Sequence, residues 1–222
     1  MQNNRPFVFI NGAMSADGKI SSRSREQVRI SGPLDRERVD ALRAGSDGIM
    51  VGVGTVLADD PHLRIRSPAL RSERKNRGLP EHPLRIVADS MARTPLGASI
   101  LGEGCIIAVS ASASAERIAK LSKSAGIVRS GESRVDLSIL MGLLYDRGVS
   151  RLMVEGGAEL NWSLIEAQLV DEISVFVGPV IIGGRGAPTL VDGPGFIRDF
   201  PRLKLRSIEA IDGGALLSWQ VL

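Results

Sequence analysis

One cysteine and two histidines in 222 residues remove several chemistries at once. A single thiol, Cys105, cannot close an internal disulfide and offers no thiolate cluster for a metal. It lies in the apolar run CIIAV and reads as a small core residue. His62 and His82 each sit beside a proline in loop-like sequence. With no His-x-x-x-His pair and no cysteine ligand set, no metal site is expected. The Pro-Cys-x-x-Cys of zinc deaminases, the Gly-x-Ser-x-Gly elbow and a phosphate loop ending in Gly-Lys-Ser/Thr are all missing. Aromatic residues make up only 4%, so aliphatic packing must supply most of the core. No apolar run approaches the roughly 20 residues of a membrane helix, and the N-terminus lacks a cleavable signal pattern. A cytoplasmic protein without membrane contact is expected.

Hydrophobic residues at 43% suffice for a full core, and residues 1–222 read as a single domain. The net charge of +3 is too mild to imply a polyanionic partner. Basic residues nevertheless crowd between Leu63 and Arg85: Arg64, Arg66, Arg71, Arg74, Lys75 and Arg77, with Arg85 closing the run. No aromatic interrupts them, so there is no base-stacking platform, and nucleic acid is not an expected partner. Serine, proline and glycine mark residues 67–83 as a loop.

The chain is organised around RLMVEGGAELNWSLIEAQLVDE, residues 151–172. Leu152, Met153 and Val154 form a short buried strand that ends at Glu155. Gly156-Gly157 follows, and Leu160, Leu164, Ile165 and Leu169 recur at helical spacing from a start near Ala158. Two residues without Cβ let a ligand approach the backbone, and a helix start offers unpaired N–H groups suited to phosphate. Glu155 falls at the C-terminal end of a strand, where open α/β sheets bind ligands.

Elsewhere Phe7–Ile10 reads as a strand followed by the loop NGAMSADGKIS, in which Lys19 is either an exposed charge or a substrate contact. Ser31-Gly32-Pro33 starts a helix that ends near Gly45. After a strand at Asp47–Val53, Gly52 and Gly54 imitate a dinucleotide fingerprint. Leu57 occupies the third glycine position and Pro61 ends the helix, so the motif fails as a Rossmann signature but can still bind an anion. Arg85–Ala88 and Cys105–Val109 are strands. Ile118 and Leu121 mark a helix, and Asp136 caps another that ends at Gly148. Glu172–Val177, Leu203–Ile211 and Ala215–Leu222 are strands, the last two a hairpin about Asp212-Gly213-Gly214. The order predicts a largely parallel sheet with an antiparallel edge. Asp17, Lys19, Asp59, Arg66 and Glu155, all at strand ends or glycine turns, are the polar candidates for a site that leaves the hard step to a bound cofactor.

Read together, NGAMSADGKI, RISG, LRAGSDGIMVGVGTVLADDPHLRIR, PLRIVADS, VDL, the stretch from LMVEGGAELN to VGPVIIGG, and APTLVDGPGF run in a recognisable order. In these motifs the chain resembles the reductases of riboflavin biosynthesis of the archaeal and fungal type, and the reductase half of the bacterial bifunctional deaminase-reductase. That resemblance implies a dihydrofolate-reductase-like α/β fold: a mostly parallel central sheet, helices on both faces and an antiparallel C-terminal edge. It also implies NADPH as hydride donor and a homodimer. The expected reaction reduces the ribosylamino group of 2,5-diamino-6-ribosylamino-4(3H)-pyrimidinone 5′-phosphate to ribitylamino.

Carried over by motif, the cofactor contacts are Thr55, Asp59, Ser90, Val135, Gly156, Gly157, Ala158, Glu159 and Leu160. The substrate contacts are Asn11, Lys19, Ser31, Arg43, Leu63, Arg66 and Glu155. Arg66 is the choice for the 5′-phosphate, since a planar guanidinium binds two oxygens at once. Lys19, Glu155 and, more weakly, Asp17 are the expected proton-handling residues. Alternatives are reduction of the deaminated 5-amino-6-ribosylaminouracil 5′-phosphate, a pterin-type reductase of the same fold, and a non-catalytic nucleotide- or RNA-binding protein.

Overall fold

The structure, a computed structural model, describes residues 4–26 and 28–222. The chain divides into two compact units. One takes the N-terminal segment through Phe7 with Asp40–Met153, the other Val8–Val39 with Val154–Leu222. In chain order the elements begin β1 (Phe7–Ser15), α1 (Pro33–Ala44), β2 (Gly48–Gly52), α2 (Val53–Asp59) and α3 (Pro68–Asn76). Next come β3 (Leu84–Ala88), β4 (Cys105–Val109), α4 (Ala115–Leu121), β5 (Gly126–Arg129) and α5 (Leu137–Tyr145). The last are β6 (Arg151–Val154), α6 (Ala158–Glu166), β7 (Glu172–Gly178), β8 (Leu203–Ile211) and β9 (Gly214–Val221).

In the first unit the strands lie in the order β5-β4-β3-β2-β6, and β2, β3, β4 and β5 pair in parallel. Every residue of β4 is buried, which is why its sequence is apolar throughout rather than alternating. Burial pushes the Cys105 thiol up to about 11, so it packs as a small apolar group. Helix α5 behaves as its sequence predicts. The Asp136 carboxylate accepts the Ile139 N–H at 3.0 Å, Leu140, Met141 and Leu144 are buried, and Gly148 follows with φ +83°. Strand β5 escapes a sequence reading because only Val128 of its four residues is buried.

The stretch 67–83, expected to be a loop, contains helix α3. Ser67 Oγ accepts the Leu70 N–H at 3.4 Å and Pro68 occupies the first turn, so the residues that suggest a loop are here a cap and a start. The basic run is also partly internal. Arg74, 3% exposed, donates to the carbonyls of Ala44 at 2.7 Å, Ser46 at 2.8 Å and Pro80 at 2.9 Å. It thereby satisfies an orphan carbonyl at the end of α1. Arg71 and Lys75 pair with Glu81 at 3.1 and 2.7 Å.

In the second unit the order is β1-β7-β9-β8, with β1 and β7 parallel and the β7/β9 and β8/β9 pairs antiparallel. Strand β1 runs on through Asn11 to Ser15, residues expected to be loop. Its ladder to β7 extends from Phe9↔Glu172 to Ser15↔Gly178, and this pairing overrides a polar, glycine-containing sequence. The β8–β9 turn holds Asp212 at φ +49°, and its carboxylate accepts the N–H groups of Leu34 at 3.2 Å and Asp35 at 2.8 Å. A residue far along the chain thus caps α1. Gly32 is required beside it, since a Cβ there would lie 2.2 Å from Asp212 Cγ. A bulge between Leu205 and Ser207 shifts the register of β8. Leu203, Leu205 and Ile208 consequently face the same way, opposite Val221, Trp219 and Leu217, and all three are exposed.

Arg74→Ala is expected to lower the unfolding free energy by about 2–4 kcal/mol, because three carbonyls lose charged donors inside the fold. Urea unfolding with an unchanged slope reads the effect. A loss well under about 1 kcal/mol would mean that water replaces the guanidinium.

Candidate active site

In the first unit the candidates gather on the segments that leave β2 and β3. Thr55 and Asp59 lie on α2, which begins directly at Gly52 and has no side-chain cap among the described residues. Ser90 follows the end of β3, and its Oγ accepts the Val135 N–H at 3.0 Å. Two predicted cofactor contacts, 45 residues apart in sequence, are thus joined directly. The Ser90 carbonyl accepts from Ser110 Oγ at 2.8 Å and Ser110 N at 3.1 Å. The turn behind it is braced by Asp89, whose Oδ2 accepts Thr94 N and Oγ1, both at 2.7 Å. Arg117 donates to the carbonyls of Ala92 and Thr94.

The segment carrying Leu63 and Arg66 is fixed by its main chain. Leu63 is buried with φ +47°, and Arg43 Nη1 donates to the Arg64 carbonyl at 3.1 Å. Ile65 N donates to His82 Nδ1 at 3.3 Å. Burial holds the His82 imidazole below its usual range, opposed by Glu81 and reinforced by Arg64, Arg71 and Arg85. This favours the neutral form that can accept the bond. Arg66 N and Ser67 N both reach the carboxylate of Asp40, a residue the sequence reading did not single out.

In the second unit Asn11 and Ser31 are brought into one polar chain. Arg38 Nη2 donates to Asn11 Oδ1 at 2.8 Å and to Asp35 Oδ1 at 2.7 Å, Arg38 Nη1 to Ser174 Oγ at 3.3 Å, and Ser31 Oγ to Asp35 Oδ2. Asp35 is 1% exposed. Neither Arg38 nor Asp35 was a candidate; the available signal was their i, i+3 spacing with opposite charge at a helix start.

Asp17 accepts from Ser15 Oγ at 2.6 Å, Ile182 N at 3.0 Å and Gly183 N at 2.8 Å. These donors, the Ser15 hydroxyl foremost, hold its carboxyl down at about 2. It joins the turn after β1 to the segment after β7. Lys19 N donates to Ser15 Oγ at 2.9 Å, Lys19 Nζ to the Ala187 carbonyl at 3.1 Å, and the Lys19 main chain bridges Thr189. The same segment is tied to α6, since Asn161 Nδ2 donates to the Leu190 carbonyl at 2.8 Å and Asp192 N to the Ala158 carbonyl at 3.3 Å. Lys19 and the start of α6 therefore share one support.

Glu155, half-buried, follows β6 directly. Gly156 adopts φ +101°, a conformation that needs glycine, and a cis peptide joins it to Gly157. Gly157 is the N-cap of α6 and has no side chain to occupy the first-turn N–H groups. Ala158 and Leu160 are buried and Glu159 is exposed. An anion can approach these N–H groups along the backbone. Among the described residues no group of three or more His, Cys, Asp or Glu is placed to hold a metal ion, and no helix is long and apolar enough to cross a membrane.

A pyrimidine reductase-like protein from Corynebacterium diphtheriae superposes with a TM-score of 0.86, covering 99% of this chain and 93% of its own at 17% identity. The fold is thus an α/β fold of the dihydrofolate-reductase-like class. Residues 6–217 match the RibD C-terminal domain, and the chain belongs to that family. The relative from Archaeoglobus fulgidus named 2,5-diamino-6-ribosylamino-4(3H)-pyrimidinone 5′-phosphate reductase is 49% identical over 95% of both chains. A relative of the same name from Methanothermobacter thermautotrophicus is 45% identical over 91% of this chain and 92% of its own.

The Asp17 anchor has a pH signature. Its folded value lies below the ordinary 3.8, so its stabilisation is complete above that value and is lost as pH falls towards about 2. The difference in melting temperature between the unmodified protein and Asp17→Asn is expected to be constant from pH 7 down to about 5 and to shrink by pH 3. A difference that stays flat to pH 3 would remove the carboxylate's role.

Proposed function

We propose that this protein reduces 2,5-diamino-6-ribosylamino-4(3H)-pyrimidinone 5′-phosphate to its ribitylamino form, with NADPH as the reductant, as a cytoplasmic enzyme of riboflavin biosynthesis. The observation that carries this reading is the near end-to-end match, at 49% and 45% identity, to two relatives of that name. It is supported by a glycine turn and uncapped helix start directly after Glu155. The diamino substrate is preferred over its deaminated counterpart because both relatives carry the diamino name.

The residues fit a nicotinamide dinucleotide. In the second unit Gly156 to Leu160 offer first-turn N–H groups of α6 that would suit a pyrophosphate; in the first, Thr55 lies in the opening turn of α2, Asp59 closes that helix, and Ser90 accepts the Val135 N–H. When bound, the cofactor supplies a hydride to the sugar C1′. The chain's own task is positional and protic. Opening the furanose breaks the C1′–O4′ bond and moves the amine proton to O4′, leaving C1′ doubly bonded to nitrogen. After hydride reaches C1′, the nitrogen takes one further proton. We assign these transfers, and the orientation of the ribose hydroxyls, to Lys19 and Glu155. Asp17, which accepts from Ser15, Ile182 and Gly183, anchors the turn that carries Lys19. Asn11, Ser31, Arg43 and Leu63 shape the substrate side, and Arg66 takes the 5′-phosphate.

An RNA-binding reading loses its main feature, since Arg74 is buried on carbonyls and Arg71 and Lys75 pair with Glu81. A pterin-type reductase has no use for a phosphate ligand at Arg66. NADPH oxidation is expected with the diamino compound, faster than with the deaminated one. Lys19→Ala and Glu155→Gln should each reduce kcat by about 10²–10⁴. Near-normal turnover in both would end the assignment of proton transfer.

We infer a homodimer as well. The exposed Leu203, Leu205 and Ile208 lie on β8, the outermost strand in its unit's order, and monomers rarely leave such an edge uncovered. Light scattering should give twice the 23.7 kDa chain mass. The pair Leu205→Glu and Ile208→Glu should give the single-chain mass; a dimer unchanged by both would move the interface elsewhere.

A further inference from the structure

We propose that Asp40 is the positioning residue for Arg66, fixing the root of the guanidinium that meets the substrate's phosphate. The inference rests on the reading of Arg66 given above. Asp40 lies near the end of α1 and is 7% exposed. Its two oxygens serve adjacent amides: Oδ1 accepts the Arg66 N–H and Oδ2 the Ser67 N–H, each at 2.7 Å. Successive N–H groups of an extended chain point to opposite sides. Both can reach one carboxylate only if the chain turns between them, and the carboxylate therefore holds that turn. Bonds from main-chain N–H groups to an ionised carboxylate are among the stronger neutral-to-charged contacts in proteins.

The flanks are pinned too. Arg43 holds the Arg64 carbonyl and His82 receives the Ile65 N–H, while the Ile65 side chain is buried. Ser67 caps α3, which Arg74 ties to the end of α1. The Arg66 side chain is exposed and, among the described residues, forms no hydrogen bond or ion pair. A cation with an immobilised root and an uncommitted head suits a dianion that must be gripped and released. The backbone entropy of forming the grip is lost at folding instead of at binding. It also gives the basic segment a purpose that its composition hides, because α3 and its salt bridges hold the far side of the same turn.

A clamp that serves folding alone would affect phosphorylated and unphosphorylated substrates alike, so the test is selective for phosphate. Steady-state kinetics are compared for the diamino substrate and for the same compound without its phosphate. The chains are the unmodified protein, Arg66→Ala, Asp40→Ala, Asp40→Asn and the Arg66→Ala/Asp40→Ala double variant. Arg66→Ala is expected to raise KM about tenfold or more for the phosphorylated compound only. Asp40→Ala should give the same selective rise, about five- to tenfold, with kcat and NADPH affinity within about twofold. Asp40→Asn, which keeps one acceptor oxygen, should fall between. In the Arg66→Ala background the Asp40 change should add less than about twofold, since its effect runs through Arg66.

If Arg66→Ala leaves the preference for the phosphorylated compound intact, the phosphate reading of Arg66 fails and the role of Asp40 fails with it. If Arg66→Ala behaves as expected but the Asp40 variants weaken both compounds alike, or lower only kcat, Asp40 is a clamp and this proposal alone is overturned. Should Asp40→Ala not fold, Asp40→Asn decides on the same ratio.

Discussion

Aspartate carboxylates that accept main-chain N–H groups hold the turns of this fold. Asp40 binds the amides of Arg66 and Ser67, Asp17 those of Ile182 and Gly183, and Asp212 those of Leu34 and Asp35. Asp47 takes Ser150 and Arg151, and Asp89 takes Thr94. The pattern follows from topology. Parallel strands need long crossovers, and their connections expose amides that no ladder satisfies. A short acidic side chain reaches such amides without a helix or strand of its own, and its charge roughly doubles the strength of each bond. The conformation of these connections is therefore set by acids that lie elsewhere in the chain.

That use of aspartate explains why some placements were legible in the sequence and others were not. Glu155 at a strand end, Gly156-Gly157 and the start of α6 were legible because a strand, a glycine turn and a helical repeat are local signals. The parallel order with its antiparallel C-terminal hairpin was legible for the same reason, as was Asp136 at the head of α5. For Asp17, composition and position show an acid near Lys19 and hide its donors. Ile182 and Gly183 lie some 165 residues away, and nothing nearby announces them.

The remaining misses share that cause. The polar chain Asn11–Arg38–Asp35–Ser31 draws on β1, the turn before α1 and α1 itself. The single bulge in β8 turns Ile208 to the side of Leu203 and Leu205, and a strict alternation would have sent it to the other face. In β1, Asn11 to Ser15 have the composition of a loop and become strand because β7 offers a partner for each of them. Pairing that decides a residue's conformation from across the chain leaves no trace in its neighbours.

The basic stretch before β3 shows most clearly how charge is misread when counted rather than located. Seven cations between Leu63 and Arg85 suggest a field aimed at a polyanion. Located, they do different work: Arg74 closes the carbonyls at the end of α1, and Arg71 and Lys75 hold Glu81. Arg85, 2% exposed, donates to the Glu103 carbonyl. Buried guanidinium groups bound to carbonyls are fixed and desolvated, and add little to an external field. Arg66 differs from them in having a pinned backbone and an exposed head that is uncommitted among the described residues. One guanidinium held in that way binds one phosphate with defined geometry, where a mobile cluster of the same charge would bind many anions weakly. Net charge therefore says little about this segment: Arg71, Arg74 and Lys75 are committed to partners within the fold, and a pinned backbone leaves the Arg66 guanidinium exposed.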